Sequence, residues 1–326
     1  MNNKKVRIAV IGASEIAFRR FLPSLRKDQR FEYIGVGISR REDQEKALAF
    51  QRSFGGIIFN SYEEAIVSSD VDALYIPQPP AFHSKYASLA LRNGKHVLLE
   101  KPFTTSLKET KEIIGLAKHL GLAVHENYAF QYHKQIKLIQ EIIVSGKIGK
   151  IREYRLSFGF PRRDVSDFRY KKELGGGALL DCGGYPIYLA SLMLGPKAKI
   201  VYSSLRTENE FEVDVFGSVV MKNDEEQLAY INFGMDNAYL CELLVWGSLG
   251  TLYVDRVFTA PDDFDVNIIL KIGNETSVIP VGKDSTFLNS IDVFYQNITN
   301  KRKNNQNMKK IIRQSKFVEQ VRKGSK

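Results

Sequence analysis

Residues 175–186 read GGGALLDCGGYP: five glycines, the carboxylate of Asp181 and the phenol of Tyr185, set in an otherwise apolar run. Such a segment is either a flexible loop or a site whose backbone must let something large come close. A second cluster lies near the N-terminus, where RIAVIGASEIA puts Gly12 at the end of an apolar run, followed by Ser14, Glu15, Ile16 and Ala17. Glycine at such a point permits a tight turn and close approach of main-chain N–H groups to a pyrophosphate at a helix start. The pattern is Gly12-x-Ser14-x-x-Ala17, with serine where a second glycine belongs. A third cluster is Ser39-Arg40-Arg41, at the end of the next apolar run. An acidic residue there would accept hydrogen bonds from the adenosine ribose of NAD. A hydroxyl and two guanidinium groups suit the 2′-phosphate of NADP instead, because arginine makes paired, charge-assisted bonds to phosphate.

Other chemistries lack their residues. All five histidines lie within the first 133 residues and none pair at metal-ligand spacing, while Cys182 and Cys241 match no metal or redox spacing. A reducing cytoplasm is the expected compartment. No stretch approaches ~18 consecutive apolar residues, so no membrane span is expected, and the basic start reads as a first strand rather than a secretory signal. The net charge of +10 is concentrated in residues 301–326, which carry ten Lys or Arg against one acid. A basic face spread for nucleic acid is therefore not expected. In the same tail Met308, Ile311, Ile312, Val318 and Val321 recur at helical spacing, which predicts a docked amphipathic helix with a solvated basic face.

The elements that position these residues follow from periodicity. Apolar runs at 7–12, 32–39, 72–78, 96–102 and 122–126 alternate with helical patterns near 15–27, 41–53, 81–93 and 106–120. Continuous Val/Ile/Leu strands alternating with helices predict βαβ units and a parallel sheet covered on both faces. After residue 126 the character changes. A helix near 133–145 leads into long strands at 151–160, 199–208, 213–223, 228–236, 239–248 and 250–256, interrupted by one helix beginning around 177. Phe287, Ile291, Phe294 and Ile298 share one face of a helix at 285–300. Two domains are expected, a dinucleotide-binding half over 1–125 and an α+β half over 126–326 whose terminal helix packs back on the first.

Taken together, the glycine turn at 12–17, Pro77 and His83, Glu100-Lys101-Pro102, Glu126-Asn127 and GGGALLDCGGYP resemble the glucose–fructose oxidoreductase / inositol dehydrogenase (Gfo/Idh/MocA) family. The likeness runs from residue 6 to about 190, and the terminal helix shares it. It implies an α/β Rossmann domain followed by an α+β domain with an open, mostly antiparallel sheet whose face receives the substrate. It also implies that NADP(H) meets Gly12, Ser14, Glu15, Ile16, Ser39, Arg40, Arg41, Pro77, Gln78, His83, Glu100, Lys101 and Asn127. Many members carry histidine at the position of Tyr185. With Ser14, this tyrosine looks like the branch that reduces the 3-keto group of nucleotide-linked deoxysugars. The stretch SFGFPRRDVSDFRYKKELGGGALLDCGGYP is similar to that branch throughout. Dihydrodiol and glucose–fructose enzymes also use tyrosine here, so oxidation of a free sugar, cyclitol or dihydrodiol stays open. A non-catalytic NADP-sensing regulator is the least favoured reading. A homodimer or homotetramer is implied, with no nucleic-acid or membrane partner.

Carbonyl reduction needs a hydride donor, a proton donor and a charge to steady the oxygen. Lys101 lies beyond the carboxyl end of a parallel strand, where open α/β sheets bind ligands, and its ammonium suits the carbonyl oxygen. Tyr185, with an ordinary pKa of about 10, releases its proton more easily beside a lysine cation. Asp181, four residues earlier, shares its face if the segment is helical, and could hold Lys101 charged or accept a sugar hydroxyl. On resemblance, Arg169 and Tyr170 join Asp181 and Tyr185 as substrate contacts, with Arg162 and Arg163 candidates for a pyrophosphate. The glycines are expected to let the backbone face the nicotinamide cleft.

Overall fold

The computed structural model describes residues 5–324 and, at Arg41, the main chain alone. Its elements are β1 (Val6–Ile11), α1 (Leu22–Leu25), β2 (Phe31–Gly37), α2 (Gln44–Phe54), β3 (Ile57–Phe59), α3 (Tyr62–Val67), β4 (Ala73–Ile76), α4 (His83–Arg92), β5 (His96–Leu99), α5 (Leu107–Leu120) and β6 (Val124–Glu126). Then come α6 (Lys134–Val144), β7 (Ile151–Gly159), α7 (Gly184–Met193), β8 (Lys199–Thr207), β9 (Asp214–Lys222), β10 (Leu228–Gly234), β11 (Leu240–Gly247), β12 (Gly250–Asp255), β13 (Val266–Ile272), β14 (Glu275–Gly282), α8 (Thr286–Thr299) and α9 (Lys301–Gly324). The chain divides into two compact units.

The first unit takes residues up to Tyr128 together with Phe287–Ser315. Its six strands run in the order β3-β2-β1-β4-β5-β6 and every pair is parallel. The strands are uninterrupted apolar runs because helices cover both faces. Ile11, Leu74, Ile76 and Leu99 pack with Ile66, Leu91 and Ile113 from the helices and with Met308 and Ile311 of α9. Ser61 and Ser106 cap α3 and α5 by accepting from the N–H groups of Glu64 and Glu109. Two strands end earlier than periodicity suggests. β4 stops at Ile76 because Pro77 has no N–H to give the ladder, and β5 stops at Leu99. β3 and α3 are additions, too short to show a period. The free edge at β6 is covered by side chains of α9. Ala123 O is taken by Val97 N, so the carbonyls of Leu122 and Val124 point outward, where they accept from Asn304 Nδ2 (3.0 Å) and Asn307 Nδ2 (2.8 Å).

The second unit takes Ala129–Thr286 and the residues from Lys316. Its eight strands run β14-β13-β12-β11-β7-β10-β9-β8 and are antiparallel except for the interior pair β7–β10. That one parallel pair joins strands far apart in sequence. β13 and β14 form a hairpin turning at Gly273 and Asn274, beyond the last strand that alternation predicts. Leu156, Val219, Ile231 and Val245 face the core, and α7 packs against this sheet. The far end of α9 docks here, with Phe317, Val318 and Val321 buried and Val321 O accepting from Ser203 Oγ at 3.1 Å. The tail is thus a packed helix over its whole described length. Among the described residues, no helix is long and apolar enough to cross a membrane, and no cluster of His, Cys, Asp or Glu could hold a metal.

Candidate active site

Gly12 ends β1 with φ +101°, a region that side chains disfavour, and a β-carbon on it would collide with the Gln78 amide. That amide donates to Ile11 O at 2.7 Å, so Gln78, just past β4, closes over the turn. Ser14 Oγ accepts from Ala17 N at 3.2 Å. The serine that replaces the expected glycine therefore caps the following turn, which is π-helical over Ala17–Phe21. Glu15 is exposed and paired with Arg19 at 2.7 Å, and Ile16 is exposed beside it. Ser39 and Arg40 lie exposed just beyond β2. The proposed contact from the Arg41 side chain falls outside the described residues. A Gly-lined cradle at a helix start, with a hydroxyl and a guanidinium open at the end of β2, fits a dinucleotide carrying a 2′-phosphate.

The loops after β4 and β5 are tied together from inside. His83 is 0% exposed; its Nδ1 lies 2.8 Å from Pro102 O and its Nε2 2.7 Å from Gln78 O. It braces Pro77-Gln78 against the Lys101-Pro102 bond, which is cis, and burial lowers its pKa. Glu100 Oε1 accepts from Tyr75 Oη and from Asn127 Nδ2, both at 2.6 Å, and Oε2 accepts from Lys101 N at 3.3 Å. Burial pushes its carboxyl up, opposed by those bonds and by the Lys101 charge. Glu126 is pushed up to about 8 by burial, although Phe103 N donates to it at 2.7 Å. Lys101 is half-buried at the start of this loop.

In the second unit, Asp181 and Tyr185 stand on one continuous helix, π-wound over Leu179–Gly183 and α-helical from Gly184. π turns inside helices are frequent at functional sites. The Tyr185 ring is half-buried among Phe158, Phe130 and Phe258, with centroids 5.2, 5.6 and 6.1 Å away. Asp181 Oδ2 accepts from Arg169 Nε at 2.8 Å, and Arg169 Nη1 donates to Asp167 at 3.1 Å. Both neighbouring carboxylates raise the Arg169 pKa against its burial. Asp167 is a site residue that sequence reasoning missed; only its Asp-x-Arg spacing hinted at it. Tyr170 is buried with its ring stacked on Phe211 at 4.4 Å, and its hydroxyl donates to Met235 O and accepts from Arg163 N. Arg162 pairs with Glu210 and lies over the Phe211 ring.

Three of the five glycines make close approaches within their own unit. A β-carbon on Gly176 would strike Arg169 O, one on Gly177 would strike Asp214, and one on Gly183 would lie 2.8 Å from the Phe233 ring. Gly177, at φ +112°, also brings the helix start under Asp214, whose Oδ2 accepts from Leu179 N at 2.6 Å. These residues let the helix sit directly on its own sheet and so aim Tyr185.

Both units match one family. Residues 6–128 match the oxidoreductase family, NAD-binding Rossmann fold, model of GFO_IDH_MocA, and residues 136–253 match the GFO/IDH/MocA C-terminal domain. The chain belongs to the Gfo/Idh/MocA oxidoreductase family. It is 34% identical, over 100% of its own length and 97% of the relative's, to a dTDP-3,4-didehydro-2,6-dideoxy-alpha-D-glucose 3-reductase from Actinomadura kijaniata. An enzyme of the same name from Saccharopolyspora spinosa is 37% identical over 81% of this chain and 79% of its own. The crystal structure of a 3-ketoreductase from Actinomadura kijaniata with NADP and TDP-benzene superposes with a TM-score of 0.95 at 33% identity, covering 99% of this chain and 98% of that one. Structures of that enzyme with one tyrosine replaced by phenylalanine, or one lysine by alanine or glutamate, match over the same 99% of this chain.

Proposed function

We propose that this chain is an NADPH-dependent reductase of a keto group, at C3, on a nucleotide-linked deoxysugar. The observation that carries the reading is the end-to-end likeness to a dTDP-sugar 3-reductase. Bound NADPH supplies the hydride. The Gly12 turn and Ser14 receive the pyrophosphate, and Ser39 with Arg40 takes the 2′-phosphate. Pro77, Gln78, Glu100 and Asn127 shape the nicotinamide end, with His83 holding their loops in place. Lys101 sets an ammonium at the substrate oxygen as charge develops there, and Tyr185 gives that oxygen its proton. Arg169, held by Asp167 and Asp181, offers its guanidinium to substrate oxygens. Asp181 thus acts through Arg169 as much as by accepting a sugar hydroxyl. Tyr170, its hydroxyl occupied, offers a ring edge and fixes the Arg163 backbone.

The protein is proposed to work in the cytoplasm as a homo-oligomer. Strand register puts Tyr202, Tyr230, Arg155, Ile269 and Val278 in one row on the outer face of the second sheet, all exposed, a largely apolar surface with one charge at its middle that suits pairing. Mixing the protein with NADPH and a dTDP-linked 3-keto-deoxysugar, or with NADP+ and free sugars or cyclitols, tests the activity. Consumption of NADPH with the nucleotide sugar alone is the expected result; turnover of free sugars only would reverse the reading.

A further inference from the structure

A line of buried polar side chains runs from α8 to Glu100, and its hydrogens can be assigned in order. Asn297 Nδ2 lies 3.2 Å from His125 Nδ1, so Nδ1 accepts and Nε2 carries the ring proton. His125 Nε2 donates to Ser290 Oγ at 3.0 Å. The single proton of Ser290 then goes to Asn127 Oδ1 at 2.7 Å. With its oxygen taken, Asn127 must turn its Nδ2 to Glu100 Oε1, at 2.6 Å. His125, Ser290, Asn297 and Asn127 are 0, 1, 3 and 4% exposed, so water is not at hand to replace a missing link. Every member of the line has its direction fixed by the one before it.

The line admits one other consistent arrangement, in which every bond reverses and Asn127 presents Oδ1 to Glu100. An ionised carboxylate can only accept, so the reversed line needs Glu100 protonated. We infer that Ser290 is a positioning residue which, through Asn127, keeps Glu100 an acceptor-only carboxylate next to Lys101. The inference rests on the proposed role of Glu100 at the nicotinamide end of the cofactor. The titratable groups that face Glu100 are Tyr75 from β4 and Lys101 from its own loop. Tyr75 donates as Asn127 does, and the Lys101 charge favours the same anion. Asn127 is the partner of this carboxylate whose direction the line from Ser290 sets. Burial keeps His125 neutral, its pKa lowered to about 3, so it has one N–H to pass along.

Ser290→Ala cuts the line and frees the Asn127 amide to turn, while Ser290→Thr keeps the hydroxyl. The test is an infrared pH titration of the free protein, with the Glu100 carboxyl band identified by its loss in Glu100→Gln, since Glu126 is a second buried carboxyl. NADPH affinity by fluorescence is measured across the same pH range. In Ser290→Ala the Glu100 titration is expected to move up by about one pH unit, the worth of roughly one hydrogen bond. NADPH binding should weaken up to about tenfold on the acid side and return to the parent value at higher pH. Ser290→Thr should follow the parent. An unmoved Glu100 titration in a folded Ser290→Ala protein, or a loss of affinity uniform in pH, overturns the inference. If the parent protein binds no NADPH at any pH, the proposed function fails, and the infrared titration still decides whether Ser290 governs Glu100.

Discussion

The Tyr185→Phe substitution removes one hydroxyl and leaves a ring seated among Phe130, Phe158 and Phe258 at 5.2–6.1 Å between centroids. Those contacts survive, so the cost to stability is limited to one hydrogen bond at most, about 1 kcal/mol. Loss of a general acid lowers kcat by roughly 10²–10⁴, or about 3–5 kcal/mol on the barrier. Tyr185→Ala is the control. Emptying the same aromatic setting costs on the order of 3–5 kcal/mol of stability as well. Lys101→Met should slow turnover at least as much as Tyr185→Phe, because it removes a charge aimed at the developing alkoxide. The double variant should be little slower than the poorer single, since both groups serve one step. The assay pairs steady-state turnover with thermal melting and NADPH titration. Parent-like turnover in Tyr185→Phe would leave the lysine as the proton source, and parent-like turnover in both single variants would refute the site. A fall in melting temperature matching that of Tyr185→Ala would show that the hydroxyl serves packing.

Three further outcomes follow from particular residues. NADPH should bind at least about tenfold more tightly than NADH, and Arg40→Ala should abolish the preference, since a charge-assisted bond is worth about 1.5–3 kcal/mol; fluorescence titration with both cofactors measures it. Glu126 has a folded pKa of about 8 against 4.5 for an ordinary glutamate, so the folded state holds its proton more tightly and stability should fall as pH rises from about 4.5 to about 8. His125 works at the other end: lowered from 6.5 to about 3, it contributes stability above pH 6.5 that is lost as pH falls toward 3. In urea unfolding, Glu126→Gln should remove the first slope and leave the second. Truncation after Ser315 exposes the sites of Phe317, Val318 and Val321 and should cost a few kcal/mol in thermal melting, with no change in binding to polyanions.

Much of this was legible because burial on two sheet faces leaves continuous apolar runs. The strands at 7–12 and 32–39 correspond to β1 and β2, and the helix at 285–300 to α8. The amphipathic tail was legible for the same reason: Met308, Ile311, Val318 and Val321 are all buried. Short elements were not, since the three residues of β3 complete no period. Nor was the parallel pairing of β7 with β10, because alternation along a strand fixes its faces and not its neighbours. At the site, residue types that announce chemistry were visible, such as Lys101, Tyr185 and Arg169. Their supports were not. Ser290 meets His125 across 165 positions of sequence, and serine on a helix signals nothing by itself. The glycines of 175–184 showed that something must come close, but only packing reveals that it is Phe233, Asp214 and the Arg169 carbonyl.

Asn304 and Asn307 close the parallel sheet with side chains where another strand would use its backbone. A backbone donor persists through any substitution except proline, whereas these two can be erased one codon at a time. Replacing both with leucine would keep the helix, leave the catalytic residues untouched, and bare the outward carbonyls of Leu122 and Val124 at the β6 edge. Such a strand edge recruits other chains. The penalty for drift at these positions would thus appear as aggregation during synthesis and storage while the folded fraction still turned over normally, so an activity screen would pass variants that a solubility screen rejects.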